Sequence, residues 1–587
     1  VLSKNNVWVF EHLIANKYDE SFKEYIGKPF KKIKSESKVK IFEGSKIITM
    51  NPMQPCCNSV AVLDGKILGL GTTNSIINGL KLKGLKYEIS SEFRDCFIYP
   101  GFIESHSHFS NMAVQYQLYY VGPFHLKDKN GASTGNFKSK KQIVDYLRKA
   151  IKEDGLTSLV AWGFDSLLIE DLEKTFSAEE LDTINNDIPI CIIDTTIHQV
   201  YANHKCLEIS GYTDSTDIVG VDKDKHGKLT GVLKELKAIE PVFSKLLKIN
   251  DDFLINGFNI AAQAAVNAGV TTISDLAVGL MPGAWKVLCN LTNDVDFPVR
   301  VSNYVMYNIV EELGGPKHFL SIKNEINKSG NLNLNLNGIK LLVDGSLQTL
   351  TALMKWPYYY STLKNGIQNI EFDELYKYLQ NYTIHGIQAS IHTNGTGAIE
   401  VAVNTIKQIM RNFTDIEARF RLEHCQSVSE EQLEEMVRYN IIPNFYPLNL
   451  HYWGDFHAET SMGPDLVKLM NPLGSAKRNG LKYAIHTDCP VVPLDPIKSI
   501  WAAVNRTSIS GEVYGSAERV SVHDALKAVT INAAYILKEE ESKGSLEVGK
   551  LADMTVLDKN ILDMDPALIT EARVVSTIKN GHSFKPV

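Results

Sequence analysis

Two hydrophobic rhythms divide the chain. From Lys38 to Gly101, apolar residues come in short runs broken by turns: KVKIFEG, KIITM, SVAVLDGKILGLG and CFIYPG. The Asp64-Gly65 pair between two of these runs predicts a hairpin. The far end has the same character in GSLEVGKLADMTVLDKN and ARVVSTIKNGHSF. Two β-rich ends flanking a long middle predict one small β-sandwich, built from residues 38–98 and 541–587. Residues 1–37 are lysine-rich and polar and are expected to form an N-terminal extension outside the main fold.

The middle alternates strand-like apolar runs with amphipathic stretches. Eight runs read as strands: FIYPGFIESHSH, TTISDLA, PVRVSNYVM, GIKLLVDGS, IQASIHTNG, RFRLEHCQ, IIPNFYP and KYAIHTDCP. Stretches such as EEQLEEMVRYN and GAIEVAVNTIKQIMRN carry the 3.6-residue period of helices. Eight strands with intervening helices predict an α/β fold, a (β/α)8 TIM barrel over residues 99–540. The gap between the first two strands, about 111–258, is too long for one helix and predicts an inserted subdomain.

At 587 residues, the chain is long enough for a large body with satellites. A net charge of -7 and a pI near 6.2 give no sign of a nucleic-acid or anionic-membrane surface, so a small-molecule partner is expected. No apolar run approaches the roughly 20 residues of a spanning helix. The first residues lack the apolar core of a secretory signal. Eight cysteines without repeated spacing suggest free thiols in a reducing compartment, hence a cytoplasmic protein.

Candidate chemistry gathers at the C-terminal ends of the predicted strands, where barrel enzymes carry their reactive groups. His106 and His108 end the first strand in an HxH pair, and alternate strand residues share a face, so both imidazoles are placed to grip one metal. The fifth strand ends at His392, the sixth at His424 and the eighth at Asp488. Imidazole and carboxylate together suit zinc or a similar divalent ion. A lone histidine at a strand end is more often structural. The ordered coincidence on four strands is what points to a metal site.

This ordered set resembles that of the amidohydrolase superfamily, and the resemblance runs from about Lys38 onward through YPGFIESHSHF and GSLEVGKLADMTVLD. Within it, the amidohydrolase family 3 branch, with N-substituted formamide deformylase-like metal-dependent hydrolases, is the most similar. The matching segments are AWGFD, HQVYANHKCLEISG, GVLKE, IKLLVDGSLQTLTA, LEHCQ, HYWGDFH and HTDCPVVPLDP. The resemblance implies two divalent ions, zinc by expectation, and a homodimer. His106 and His108 would hold one ion and His392 and His424 the other, with Asp488 binding one of them as catalytic acid/base. It also implies that Lys340 bridges the ions as a carbamate formed with CO₂. The bland alternative is an ordinary lysine paired with Asp344. His198, in a segment like a substrate-facing lid, Asp344, Trp453 and Glu235 are candidate substrate contacts, Glu235 also being a second candidate bridging anion. Thr396 stands where relatives carry an acidic side chain after the fifth-strand histidine, which bears on how that histidine is oriented.

The implied reaction is hydrolysis of an amide-type C–N bond through a metal-bound hydroxide. Two alternatives compete: a mononuclear deaminase-like hydrolase, which needs no Lys340, and a non-catalytic binding protein on the same scaffold. Two, one or no metal equivalents separate the three.

Overall fold

The computed structural model describes residues 38–587 apart from 128–132, 196–198, 235, 282, 361–364 and 414–416. The predicted extension at 1–37 therefore lies outside the described residues, as do the candidates His198 and Glu235.

Eight parallel strands form the barrel: β1 (Phe102–Ser107), β2 (Val270–Val278), β3 (Arg300–Met306), β4 (Leu334–Leu342), β5 (Gln388–Thr393), β6 (Arg421–His424), β7 (Ile442–Phe445) and β8 (Ala484–Ile485). Neighbours pair in sequence order from β1 to β8. At the seam between the first and last, Ser105 Oγ donates to the Ile485 carbonyl at 3.4 Å and the His108 N–H to the Cys489 carbonyl at 2.8 Å. Every residue of β2, β3 and β5 is buried, because a parallel sheet wrapped by helices has no wet face. That is why these strands read as near-continuous apolar runs. All eight predicted strands fall in this sheet.

The first of them differs in one respect. FIYPGFIESHSH reads as one strand but is two, divided at Gly101. Phe97–Pro100 joins the sheet made by the chain ends, and β1 starts the barrel. A side chain at Gly101 would lie 2.1 Å from Thr271 Oγ1, so only glycine fits where the chain passes from one sheet to the other.

Both ends of the chain meet in a continuous hydrogen-bonded order. It runs from His582–Phe584 through Val574–Lys579, Met554–Leu557, Phe97–Pro100, Val39–Ile48 and Cys56–Leu63 to Lys66–Gly71. Phe42, Val60 and Ile98 from one end pack on Met554, Val556 and Ile578 from the other. Leu63 pairs with Lys66 across the predicted hairpin, with Asp64 (φ 50°) and Gly65 (φ 74°) both left-handed, the two-residue turn that matches strand twist. This unit is pinned to the barrel by a buried ion pair, Arg300 Nε and Nη2 donating to Asp553 at 2.7 and 2.9 Å.

After β1 comes α1 (Phe109–Gln115), which packs on α2 (Asp251–Asn267), the helix that leads into β2. A Cβ at Gly257 would sit 1.8 Å from the Ala113 carbonyl, so this glycine sets how closely the two helices approach. Between them lies a six-stranded sheet running from Tyr119–Tyr120 to Leu229–Lys234, with its own core around Ile143, Leu159, Phe164 and Ile192. Among the described residues no helix is long and apolar enough to cross a membrane.

Candidate metal centre

The strand ends bring His106, His108, His392, His424 and Asp488 to one side of the barrel, and all five are buried. Period-2 alternation puts Glu104, His106 and His108 on one side of β1, although the chain already leaves strand geometry at His108. On β6 the alternation breaks. His424 (φ 69°) and Cys425 (φ 46°) are both left-handed, and the Cys425 N–H bonds back to the Glu423 carbonyl at 2.9 Å, a γ-turn centred on His424. The turn re-aims His424, so that it and its neighbour Glu423 both serve the site. Asp488, too, is left-handed (φ 60°). Unfavourable backbone at such residues persists where the surrounding structure over-determines it, typically at functional sites.

His106 shows what the cluster is built to hold. Its Nδ1 lies 2.6 Å from Glu423 Oε2, and a carboxylate only accepts, so Nδ1 carries the proton and Nε2 keeps its lone pair. That Nε2 faces Asp488 Oδ1 at 3.2 Å, and His108 Nε2 approaches the same oxygen at 3.4 Å. Among the described residues, His106 Nε2, Asp488 Oδ1 and both ring nitrogens of His486 have no hydrogen-bond partner. Buried acceptors facing one another without a proton between them repel, and a cation removes the conflict. Two groups of donor atoms lie within 4.8 Å of one another: His106, His108 and Asp488, and His106, His424 and His486. On the other flank His392 Nε2 lies 3.1 Å from the Gly345 carbonyl and 3.0 Å from Asn394 Nδ2, and its Nδ1 is turned toward His424 Nε2 at 3.0 Å. The donor set fits a divalent ion.

The electrostatics agree. Burial keeps His424 and His486 neutral, their pKa values well below the usual range, and pushes His392 down to about 3 with help from the Lys340 charge. Burial alone would raise Asp488, but the imidazoles of His106, His424 and His108 that face it outweigh burial and hold the carboxyl ionised. Neutral imidazole and ionised carboxylate are the forms that ligate. Lys340, on β4 and buried, acts electrostatically on His108, His392, Glu423 and His486, which puts it amid the cluster.

Asp344 is likewise buried. Its carboxylate accepts the backbone N–H groups of Leu353 (2.9 Å), Asn394 (3.0 Å) and Gly395 (2.8 Å), just before the helix α3 (Thr396–Asn412). An acidic group is thus present at the start of α3 although Thr396 is not one, and it fixes the loop that carries His392. Thr396 Oγ1 itself accepts the Lys355 N–H. Trp453 donates from Nε1 to Asp165 Oδ2 at 3.0 Å, tying the inserted sheet to the barrel mouth. Asp344, Trp453, His392, His424 and Asp488 all line one cavity of about 440 Å³.

Three groups went unread in the sequence. Glu423 is held by Arg421, Ser390 Oγ (2.7 Å) and Asn444 Nδ2 (2.8 Å) and fixes the tautomer of His106. His486 stacks on His106 with ring centroids 4.7 Å apart. Glu104 accepts from the N–H and Oγ1 of Thr487, fixing the turn before Asp488, and burial pushes its pKa up to about 8. The signal for His486 was present: the same x-skipping pattern that flagged His106-Ser-His108 recurs in His486-Thr-Asp488.

Glu423→Gln retains the shape but removes the charge behind His106. Such outer partners are worth about 10- to 100-fold in metal affinity or activity. The variant is expected to lose metal in that range in a competition titration with a chelator, and parental affinity would show that Glu423 only packs.

The sequence model of the amidohydrolase family matches residues 94–584. The protein LONG AFTER FAR-RED 3 of Arabidopsis thaliana is 26% identical over 92% of this chain and 90% of its own length. An N-substituted formamide deformylase of Arthrobacter pascens is 22% identical over 91% of this chain and 96% of its own. An uncharacterized metal-dependent hydrolase of Pyrococcus horikoshii shares the fold, with a TM-score of 0.69 at 21% identity over 93% of this chain and 100% of that one.

Proposed function

The chain belongs to the amidohydrolase family, and from that premise we propose that it hydrolyses an amide-type C–N bond of a small molecule with divalent metal. The observation that carries this reading is the convergence of His106 Nε2, His108 Nε2 and ionised Asp488 on one point beside a cavity of about 440 Å³. His106, His108 and Asp488 would hold one ion, His392 and His424 a second, and Lys340, as a carbamate, would join the two. Zinc suits this donor set. Bound there, such an ion polarises a carbonyl and lowers the pKa of a water it coordinates.

The chain's own groups do the rest. Asp488, ionised and partly directed by His106 and His108, takes a proton from the attacking water and returns it to the leaving amine. Glu423 keeps the proton of His106 on Nδ1, away from the site. Trp453 and Asp165, joined by a hydrogen bond, line the same cavity as His392 and His424.

One observation favours a single-ion reading. His106 has only Nε2 to offer, since Nδ1 is committed to Glu423, and both donor groups share that nitrogen. A mononuclear site of the deaminase kind would follow.

A hydrolysis screen over amide, ester and lactone libraries with metal-reconstituted protein tests the reaction. Turnover of amides supports the proposal, and turnover confined to ring deamination supports the single-ion reading. A protein that binds these compounds and turns over none would be a binding protein on this scaffold.

A further inference from the structure

Three polar side chains on consecutive barrel loops, none of them metal donors, end in the cavity without a partner. Asn394 follows β5, Gln426 follows β6 and Tyr446 follows β7, and all three are about 98% buried or more. Asn394 Oδ1, Gln426 Oε1 and the Tyr446 hydroxyl have no hydrogen bond among the described residues, and all three residues line the cavity beside His392, His424 and Asp488. A buried polar atom without a partner is costly, so three in one place call for one.

The loops that carry them are tightly held. Asn394 Nδ2 donates to the Gly345 carbonyl at 2.8 Å, which leaves Oδ1 as the free end of that amide. Ser427 donates from Oγ to the Asn394 carbonyl at 2.9 Å and joins the β5 and β6 loops. Asn471 joins the next pair, its N–H donating to the Gln426 carbonyl at 2.8 Å and its Oδ1 accepting the Tyr446 N–H at 3.0 Å. Arg506 Nη1 in turn holds the Asn471 carbonyl at 2.9 Å. The Tyr446 ring stacks on His486 at 5.0 Å and lies 6.3 Å from His424, which sets its hydroxyl beside the metal donors. Loops clamped in a network that present unpaired polar ends to a cavity are the mark of a preorganised recognition site.

We infer that Asn394 and Gln426 accept N–H donors of the substrate while Tyr446 donates to its scissile carbonyl oxygen, so that the preferred substrates are secondary amides or ureides rather than tertiary amides or esters. This rests on the hydrolase reading of the same cavity and narrows its substrate class. A substrate lacking the N–H would leave a buried amide oxygen unpaired, and sites built around such donors reject analogues without them.

The test separates recognition from turnover. Ligand-observed NMR titration of the metal-loaded protein compares N-formylglycinamide with its N-methylated counterpart, N-formylsarcosinamide. The secondary amide is expected to bind about tenfold more tightly. In Gln426→Met that preference should fall to about threefold or less, with metal content and unfolding midpoint unchanged. Equal binding of the two amides, or binding of neither, overturns the inference. Turnover is then read on the same pair. Tyr446→Phe should lower kcat for the secondary amide by about a hundredfold, and parental kcat in that variant overturns the role of the hydroxyl. Selective binding with no hydrolysis by the parent would remove the hydrolase reading and leave the recognition site standing.

Discussion

His106→Ala is expected to leave no hydrolysis above background and to strip the protein of metal. His108→Ala should do the same. In the structure His106 is common to both groups of donor atoms, and its second nitrogen is fixed by Glu423, so no other side chain can replace it. Removing it takes away the imidazole that faces both buried carboxylates, Glu423 and Asp488, which disfavours their ionised forms. After chelation, added zinc or manganese should restore turnover in the parent and not in either variant. Metal content measured on the same samples separates a lost ligand from a lost fold, since a misfolded variant would also lose its unfolding transition.

The second large effect is expected at Lys340, which decides between two ions and one. A carbamate forms when a neutral amine attacks CO₂ and releases a proton, so reconstitution of the parent should proceed better with added bicarbonate than in degassed buffer. Lys340 is buried and acts electrostatically on His108, His392, Glu423 and His486, which puts it within the cluster that would hold the ions. Lys340→Ala should bind fewer metal equivalents, and a short carboxylic acid should partly restore function by bridging in the carbamate's place. Lys340→Arg should fail despite its charge, because guanidinium does not lose a proton to react. Full metal content and full activity in Lys340→Ala would leave the single-ion site as the correct reading.

The barrel was legible because parallel strands buried on both faces announce themselves as apolar runs, and because His106-Ser-His108 obeys the strand period. What escaped lies where that period fails. Glu423 precedes a ligand and, by alternation, should face away from it. The γ-turn at His424 cancels that rule, and no local residue type announces such a turn. His486 and Tyr446 lie just past the last residues of β8 and β7, so their directions depend on loops clamped by Asn471 and Glu104 from distant parts of the chain. Gly101 was read inside a strand because a close approach to Thr271 is a tertiary fact. Asp344 was read as a partner for Lys340 or for substrate, yet its carboxylate gathers three backbone N–H groups that only the folded loops bring near it.

The most direct test of a metal hydrolase at this site is the metal content of the purified chain, measured by elemental analysis alongside amide hydrolysis during stepwise chelation. The account predicts two divalent equivalents per chain, activity that falls as they are withdrawn, and recovery when zinc is returned. Hydrolysis that persists in metal-free protein would contradict it.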